Sequence, residues 1–147
     1  MSTLYGVNYT LYNTGVNGPT ESNYTARGAG DARVRCLLDT YEALVTTSND
    51  VVYIGPGPLI AGDIVTGFKI SWDALGSSTT LDLGDTASAT RYLTGQDSSS
   101  AGNSDTISVD GMNYTVGTTS GDTIIQLTLA DATATGTIKV CVFYNRA

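Results

Sequence analysis

The chain has 147 residues, a formal net charge of −7 and a sequence pI near 4.1, and it contains no histidine. That length builds one domain with its own core. The acidity argues against a nucleic-acid face, because the only basic run, Arg27, Arg33 and Arg35, is flanked by Asp31 and Asp39.

Charged residues make up 14% of the chain, below the ~25% usual in soluble domains, and Lys69, Lys139, Glu21 and Glu42 are its only lysines and glutamates. Thr, Ser, Asn and Gly take the solvent-facing positions instead, a composition that favours strands over helices. Residues 1–6 have neither the basic start nor the apolar core of a secretion signal, and no apolar run approaches the ~20 residues that span a bilayer. Synthesis in the cytoplasm of the producing cell is therefore expected, with no membrane partner.

Residues 1–30 carry Tyr5, Tyr9, Tyr12 and Tyr24 among Asn, Thr and Gly, with too little aliphatic content for a core of their own. They read as an extended N-terminal arm, with residues 31–147 forming the folded domain. Tyrosine combines a large contact area with a hydroxyl group, which suits a segment lying on another protein surface. The alternative is an arm that folds back as an edge strand of its own domain.

From residue 30 onward, strand-length runs alternate with turn signals. Residues 33–39 alternate, with Val34, Cys36 and Leu38 on one face. Residues 40–45 are the one helix candidate, a single turn through Tyr41, Leu44 and Val45. Residues 51–54 form a second run, stopped by Gly55-Pro56-Gly57-Pro58, where proline lacks the N–H a ladder needs. Residues 64–72 place Ile64, Phe68, Ile70 and Trp72 on one face, and residues 79–85 pair Leu81 with Leu83. Residues 91–94 make a short fifth strand. Residues 106–109 and 112–116 read as a hairpin across Asp110-Gly111. Residues 123–129 alternate through Ile125, Leu127 and Leu129. Residues 137–144 close the chain with Ile138, Val140, Val142 and Tyr144 on one face and Lys139, Cys141 and Phe143 on the other. A last strand apolar on both faces belongs in a sheet centre or an interface. The sum is an all-β fold, a jelly-roll-like antiparallel β-sandwich with an extended N-terminal arm.

No catalytic constellation emerges. Without histidine the usual general base is missing, and a serine or cysteine nucleophile needs another activator. Asp82 and Asp85 are the nearest carboxylate pair, but alternation turns Asp82 to solvent and Asp85 follows Gly84 at a turn. Asp63, Asp97, Asp105, Asp110, Asp122 and Asp131 lie in loops without the spacing of a calcium loop, and read as caps on nearby backbone N–H groups. No metal, cofactor or phosphate cradle is expected. Cys36 and Cys141 have no metal-ligand spacing; they read as small strand residues, with a bridge open if their strands pair. Asn8, Asn23 and Asn113 begin three Asn-Tyr-Thr acceptor patterns, which chance explains in a chain rich in these residues.

Five stretches carry a family resemblance: GDARVR at 30–35, AGDIV at 61–65, SWDALGSSTTLDLGD at 71–85, TRYL at 90–93 and the loop ending at Ala101-Gly102. They cover about half the chain, and through them it resembles the small head proteins of tailed bacteriophages, the capsid decoration or cement class. The resemblance implies a β-rich, non-enzymatic domain on the capsid outer surface that binds the major capsid protein at joints between capsomers, often as a homotrimer. On that reading Tyr5, Tyr9, Leu11, Tyr12 and Tyr24 are the expected capsid or subunit contacts of the arm. The competing expectations are a tail, head-fibre or baseplate component, and a carbohydrate-binding module in which an exposed Trp72 stacks on sugars. Trp72 is expected in the core, on the face of Phe68 and Ile70.

Overall fold

The computed structural model describes residues 34–44, 49–55, 58–118, 122–130 and 133–146, and these form no helix. The nine strands are β1 (Val34–Leu44), β2 (Asp50–Tyr53), β3 (Ile64–Trp72), β4 (Thr80–Asp85), β5 (Ser88–Asp97), β6 (Gly102–Ser104), β7 (Tyr114–Thr115), β8 (Ile125–Ala130) and β9 (Thr135–Asn145). One sheet has the order β1-β9-β3-β6, with β7 also pairing β3; the other has the order β2-β8-β4-β5. All pairings are antiparallel. Strands β1 to β4 alternate between the sheets, and β9 and β8 return beside β1 and β2, which gives the all-β antiparallel sandwich expected. The arm proposed for residues 1–30 lies outside the described residues.

The core fills the space between the sheets. Val65, Phe68, Ile70 and Trp72 of β3 and Ile138, Val140 and Val142 of β9 face Leu81 and Leu83 of β4 and Ile125, Leu127 and Leu129 of β8. Strand β9 lies between β1 and β3, the central position its two apolar faces implied. Trp72 is 6% exposed, and its indole Nε1 donates to the Ser100 carbonyl at 2.9 Å. The Trp72 ring crosses Gly102 so closely that a Cβ there would stand 2.9 Å from Cζ2. A side chain at position 102 therefore displaces the indole.

Three expectations are corrected. Residues 40–44 continue β1 in unbroken register with β9, from Thr40↔Lys139 to Leu44↔Thr135, so ladder pairing overrides the local helical turn. Val34, Cys36 and Leu38 share one face of β1 as read, and that face points away from the core while Leu37 and Ala43 point in. In β3 the register with β9 shifts between Val65 and Gly67, and this bulge turns Val65 inward while Ile64 is only half-buried. The hairpin across Asp110-Gly111 does not form: residues 106–109 make no strand, and residues 114–115 pair with β3, whose edge is also joined by residues 102–104. The loop between them crosses to the other sheet, where the Ser108 N–H donates to the Tyr92 carbonyl at 2.9 Å and its hydroxyl to the Arg91 carbonyl.

Candidate functional site

Two kinds of polar feature stand out from the sandwich: buried carboxylates that fasten loops, and the outer face of the five-stranded sheet. Asp85 belongs to the first kind, which corrects its placement at an exposed turn. It is fully buried and accepts the backbone N–H groups of Ala87 at 3.0 Å and Ser88 at 2.8 Å, which closes the β4–β5 turn. Arg91 Nε donates to the same carboxylate at 2.5 Å, and the Tyr92 hydroxyl at 3.4 Å. The Asp85 hydrogen bond is the main reason the Arg91 guanidinium is held above its ordinary pKa. Burial, reinforced by the Asp85 charge, pushes the Tyr92 phenol up.

The guanidinium of Arg91 also lies 3.9 Å above the centre of the Tyr114 ring. The Tyr114 hydroxyl donates to Asp122 at 2.9 Å, and the Gly117 N–H reaches the same carboxylate at 2.7 Å. Burial alone would raise the Asp122 pKa, but these hydrogen bonds, together with its own backbone N–H and the nearby Arg91 charge, hold the group below its ordinary value. Buried Asp63, whose own carbonyl accepts the Val116 N–H at 2.8 Å, accepts the Ile60 N–H at 3.0 Å and pairs with Arg146 at 3.1 Å. Asp63, Asp97 and Asp122 thus cap backbone N–H groups as their loop positions implied. Each of these carboxylates is engaged with its own loop, so the arrangement fastens structure.

The outer face of the five-stranded sheet has the opposite character. Across β1, β9 and β3 the register lines up Leu38, Cys141 and Lys69 in one row, and Thr40, Lys139 and Ser71 in the next. Cys36 and Phe143 form a third row with Gly67, whose missing side chain leaves the end of that row open. Leu38 is 68% exposed and Val34 51%, large values for aliphatic side chains on a strand. A shallow hollow of about 360 Å³ sits on this face, lined by Leu38, Lys69, Ser71, Lys139, Asn103 and Asp105. Lys69 and Lys139 are the only lysines of the chain, and neither is ion-paired among the described residues.

Cys36 is bonded to Cys141 on this same face, with Cα atoms 5.9 Å apart. The condition left open from sequence is met: β1 and β9 pair, and the register puts both side chains on one surface within bridging reach. The bridge ties edge strand β1 to central β9 beneath the exposed Leu38.

The arm residues Tyr5, Tyr9, Leu11, Tyr12 and Tyr24 lie outside the described residues. The outer-face residues were not singled out from sequence, although a signal existed: β9 alternates Lys139, Cys141 and Phe143 opposite its core face. Trp72, the residue a sugar-stacking module needs at the surface, is buried in the core as expected.

No protein-family model and no curated protein sequence matches the chain. Among solved structures, it is similar to a chain of the cyanophage Pam1 capsid asymmetric unit, with 28% identity and a TM-score of 0.58, covering 78% of this chain and 84% of that one. It also shares its fold with a chain of the capsid of Ralstonia phage GP4, with 14% identity and a TM-score of 0.61, covering 81% of this chain and 86% of the other. These similarities, over a two-sheet antiparallel sandwich, make the chain a phage capsid-related protein.

Proposed function

We propose that this chain is a capsid decoration (cement) protein, a structural virion component that sits on the outer surface of the major capsid shell and stabilises joints between capsomers. The observation that carries the reading is the similarity to a chain of the Pam1 capsid asymmetric unit, which extends over most of both chains. The residue chemistry agrees with it. A chain with net charge −7 suits a shell's exterior better than the DNA-facing interior. Buried carboxylates engaged with their own loops suit a rigid slab rather than a catalyst, so no enzymatic activity, cofactor, nucleic-acid partner or membrane partner belongs to the proposal. Repetition over a symmetric shell converts modest single contacts into firm retention.

The proposal includes a homotrimer and the docking arm of residues 1–30, led by Tyr5, Tyr9, Leu11, Tyr12 and Tyr24. Reconstruction of the particle by electron microscopy tests the placement directly. Copies distributed over the whole shell exterior are expected. Copies confined to a tail, fibre or single vertex would overturn decoration in favour of a tail, head-fibre or baseplate role. Deleting residues 2–28 should leave a folded sandwich that no longer binds shells, and unimpaired binding would refute the arm's part.

A further inference from the structure

We infer that the open edge of β1, from Val34 to Leu38, is covered by the chain's own residues 21–27, which return antiparallel to β1 across a turn at residues 28–31. This goes beyond the decoration reading and does not depend on it. It divides the arm of residues 1–30: the part through Tyr5, Tyr9, Leu11 and Tyr12 is left for docking, and the part holding Tyr24 is the arm's root. Strand β1 ends its sheet, and among the described residues no strand pairs its other edge. The backbone direction along that edge is fixed by its neighbours. On β9, Thr137 gives its carbonyl to the Asp73 N–H at 3.0 Å and its own N–H to the Asp73 carboxylate at 3.0 Å, both on the β3 side. Odd-numbered residues of β9 therefore turn their backbone groups to β3, and even-numbered ones to β1. The β1–β9 register is unbroken, so odd-numbered residues of β1 bond to β9, and Val34, Cys36, Leu38, Thr40 and Glu42 turn theirs to the open edge.

The two halves of this edge differ. The Thr40 N–H is already occupied by the Asp39 carboxylate at 2.8 Å, whose other oxygen accepts the Gly55 N–H at 2.9 Å. Asp39 thus blunts the middle of the edge against further pairing. Before it, Val34 is 51% exposed and Leu38 68%, an apolar strand edge of the kind that templates another strand. The occupant is decided by where the chain enters. Residues 1–33 join β1 at Val34, one end of the open stretch. Just before it stand Gly28, Gly30 and Asp31, which favour turns, and before those Tyr24 and Thr25, which favour strands. A turn at residues 28–31 sets Thr25 opposite Val34, Asn23 opposite Cys36 and Glu21 opposite Leu38. The returning strand then meets all three open positions ahead of Asp39. A strand supplied by a second copy would have to give up translational and rotational freedom to do the same, a cost the tethered segment does not carry.

The test reads amide hydrogen exchange residue by residue, by NMR, in the full-length protein and in truncations lacking residues 2–18 or 2–28. In the full-length protein and the shorter truncation, the Cys36 and Leu38 N–H groups should exchange as slowly as that of Leu37, which faces β9. Without residues 2–28 they should exchange roughly tenfold faster or more, while Leu37 keeps its protection. N23P in the full-length chain removes a donor from the returning strand and should speed Cys36 and Leu38 in the same way, so the result does not hang on the longer truncation folding. Trp72 emission establishes that each variant is folded. Fast exchange of Cys36 and Leu38 in the full-length protein, or protection that survives N23P or the loss of residues 2–28, would overturn the inference. Protection that disappears on dilution, with a matching change of size on gel filtration, would mean that a second copy covers the edge and that the inference is wrong. Shell binding is a separate readout. A full-length protein that binds no shells removes decoration without touching this inference, which slow exchange at Cys36 and Leu38 supports on its own.

Discussion

Replacing Asp85 with alanine should be among the most damaging single changes to this fold, and the structure sets its size. The carboxylate is fully buried and has four partners: two turn N–H groups, the Arg91 guanidinium and the Tyr92 hydroxyl. Removing one partner of a buried ion pair costs about 3–5 kcal/mol, because the other charge is left without compensation. The Arg91 side chain is 18% exposed, so water relieves part of that penalty and the lower end, about 3 kcal/mol, is expected. D85N keeps an acceptor for the turn but loses the charge, which corresponds to about 2 kcal/mol. Urea unfolding followed by Trp72 emission, at fixed protein concentration, reads both values from the midpoint shift at constant slope. The pair should be coupled: D85A/R91A should be less destabilised than the sum of the single variants by about 1–3 kcal/mol. A D85A protein within about 1 kcal/mol of the parent, or strict additivity with R91A, would refute the assignment of Asp85 as the fastening of the β4–β5 turn.

Three further outcomes follow from the same geometry. Reducing the Cys36–Cys141 bridge, or making C36S/C141S, frees a loop with a sequence separation of 105; chain entropy sets an upper bound of about 5 kcal/mol, so the melting temperature should fall and an identical melting curve with and without reductant would count against the bridge. Because Asp122 titrates below its ordinary value of 3.8 when folded, its stabilising contribution is complete above that pH and is lost as pH falls through the folded value. The acid limb of a stability-versus-pH curve should therefore be shallower in D122N than in the parent; two superimposable limbs would show that Asp122 does not contribute. G84A should destabilise the domain by about 3 kcal/mol or more, since a Cβ there collides with the backbone of Ser88 and Ala89; a neutral result in thermal unfolding would mean that the β4–β5 ladder relaxes.

How far the fold was legible depends on the kind of information each element needed. Residues 64–72 were read with the bounds of β3, and the alternation of Ile125, Leu127 and Leu129 marked the buried face of β8. Both are local patterns with one consistently apolar side. The hairpin at Asp110-Gly111 failed because a good turn pair says nothing about which neighbour offers better partners: residues 114–115 pair with β3, while Ser108 in the other flank bonds to the Tyr92 and Arg91 carbonyls. The outer face of the five-stranded sheet was half visible: the alternation of Lys139, Cys141 and Phe143 marked a second surface on β9, but nothing local joined it to Leu38 or Lys69.

By itself, then, the sequence determined the class, the placement of Trp72 in the core and the central position of the last strand. It did so because period-2 alternation and a Thr-rich, Lys-poor composition are properties of short segments. Only the tertiary structure decided the phase of β1, the burial of Asp85 and the bridge between Cys36 and Cys141. Alternation sets a spacing between faces without saying which face turns inward, and that choice belongs to a partner strand about a hundred residues away, where Val34 meets Asn145.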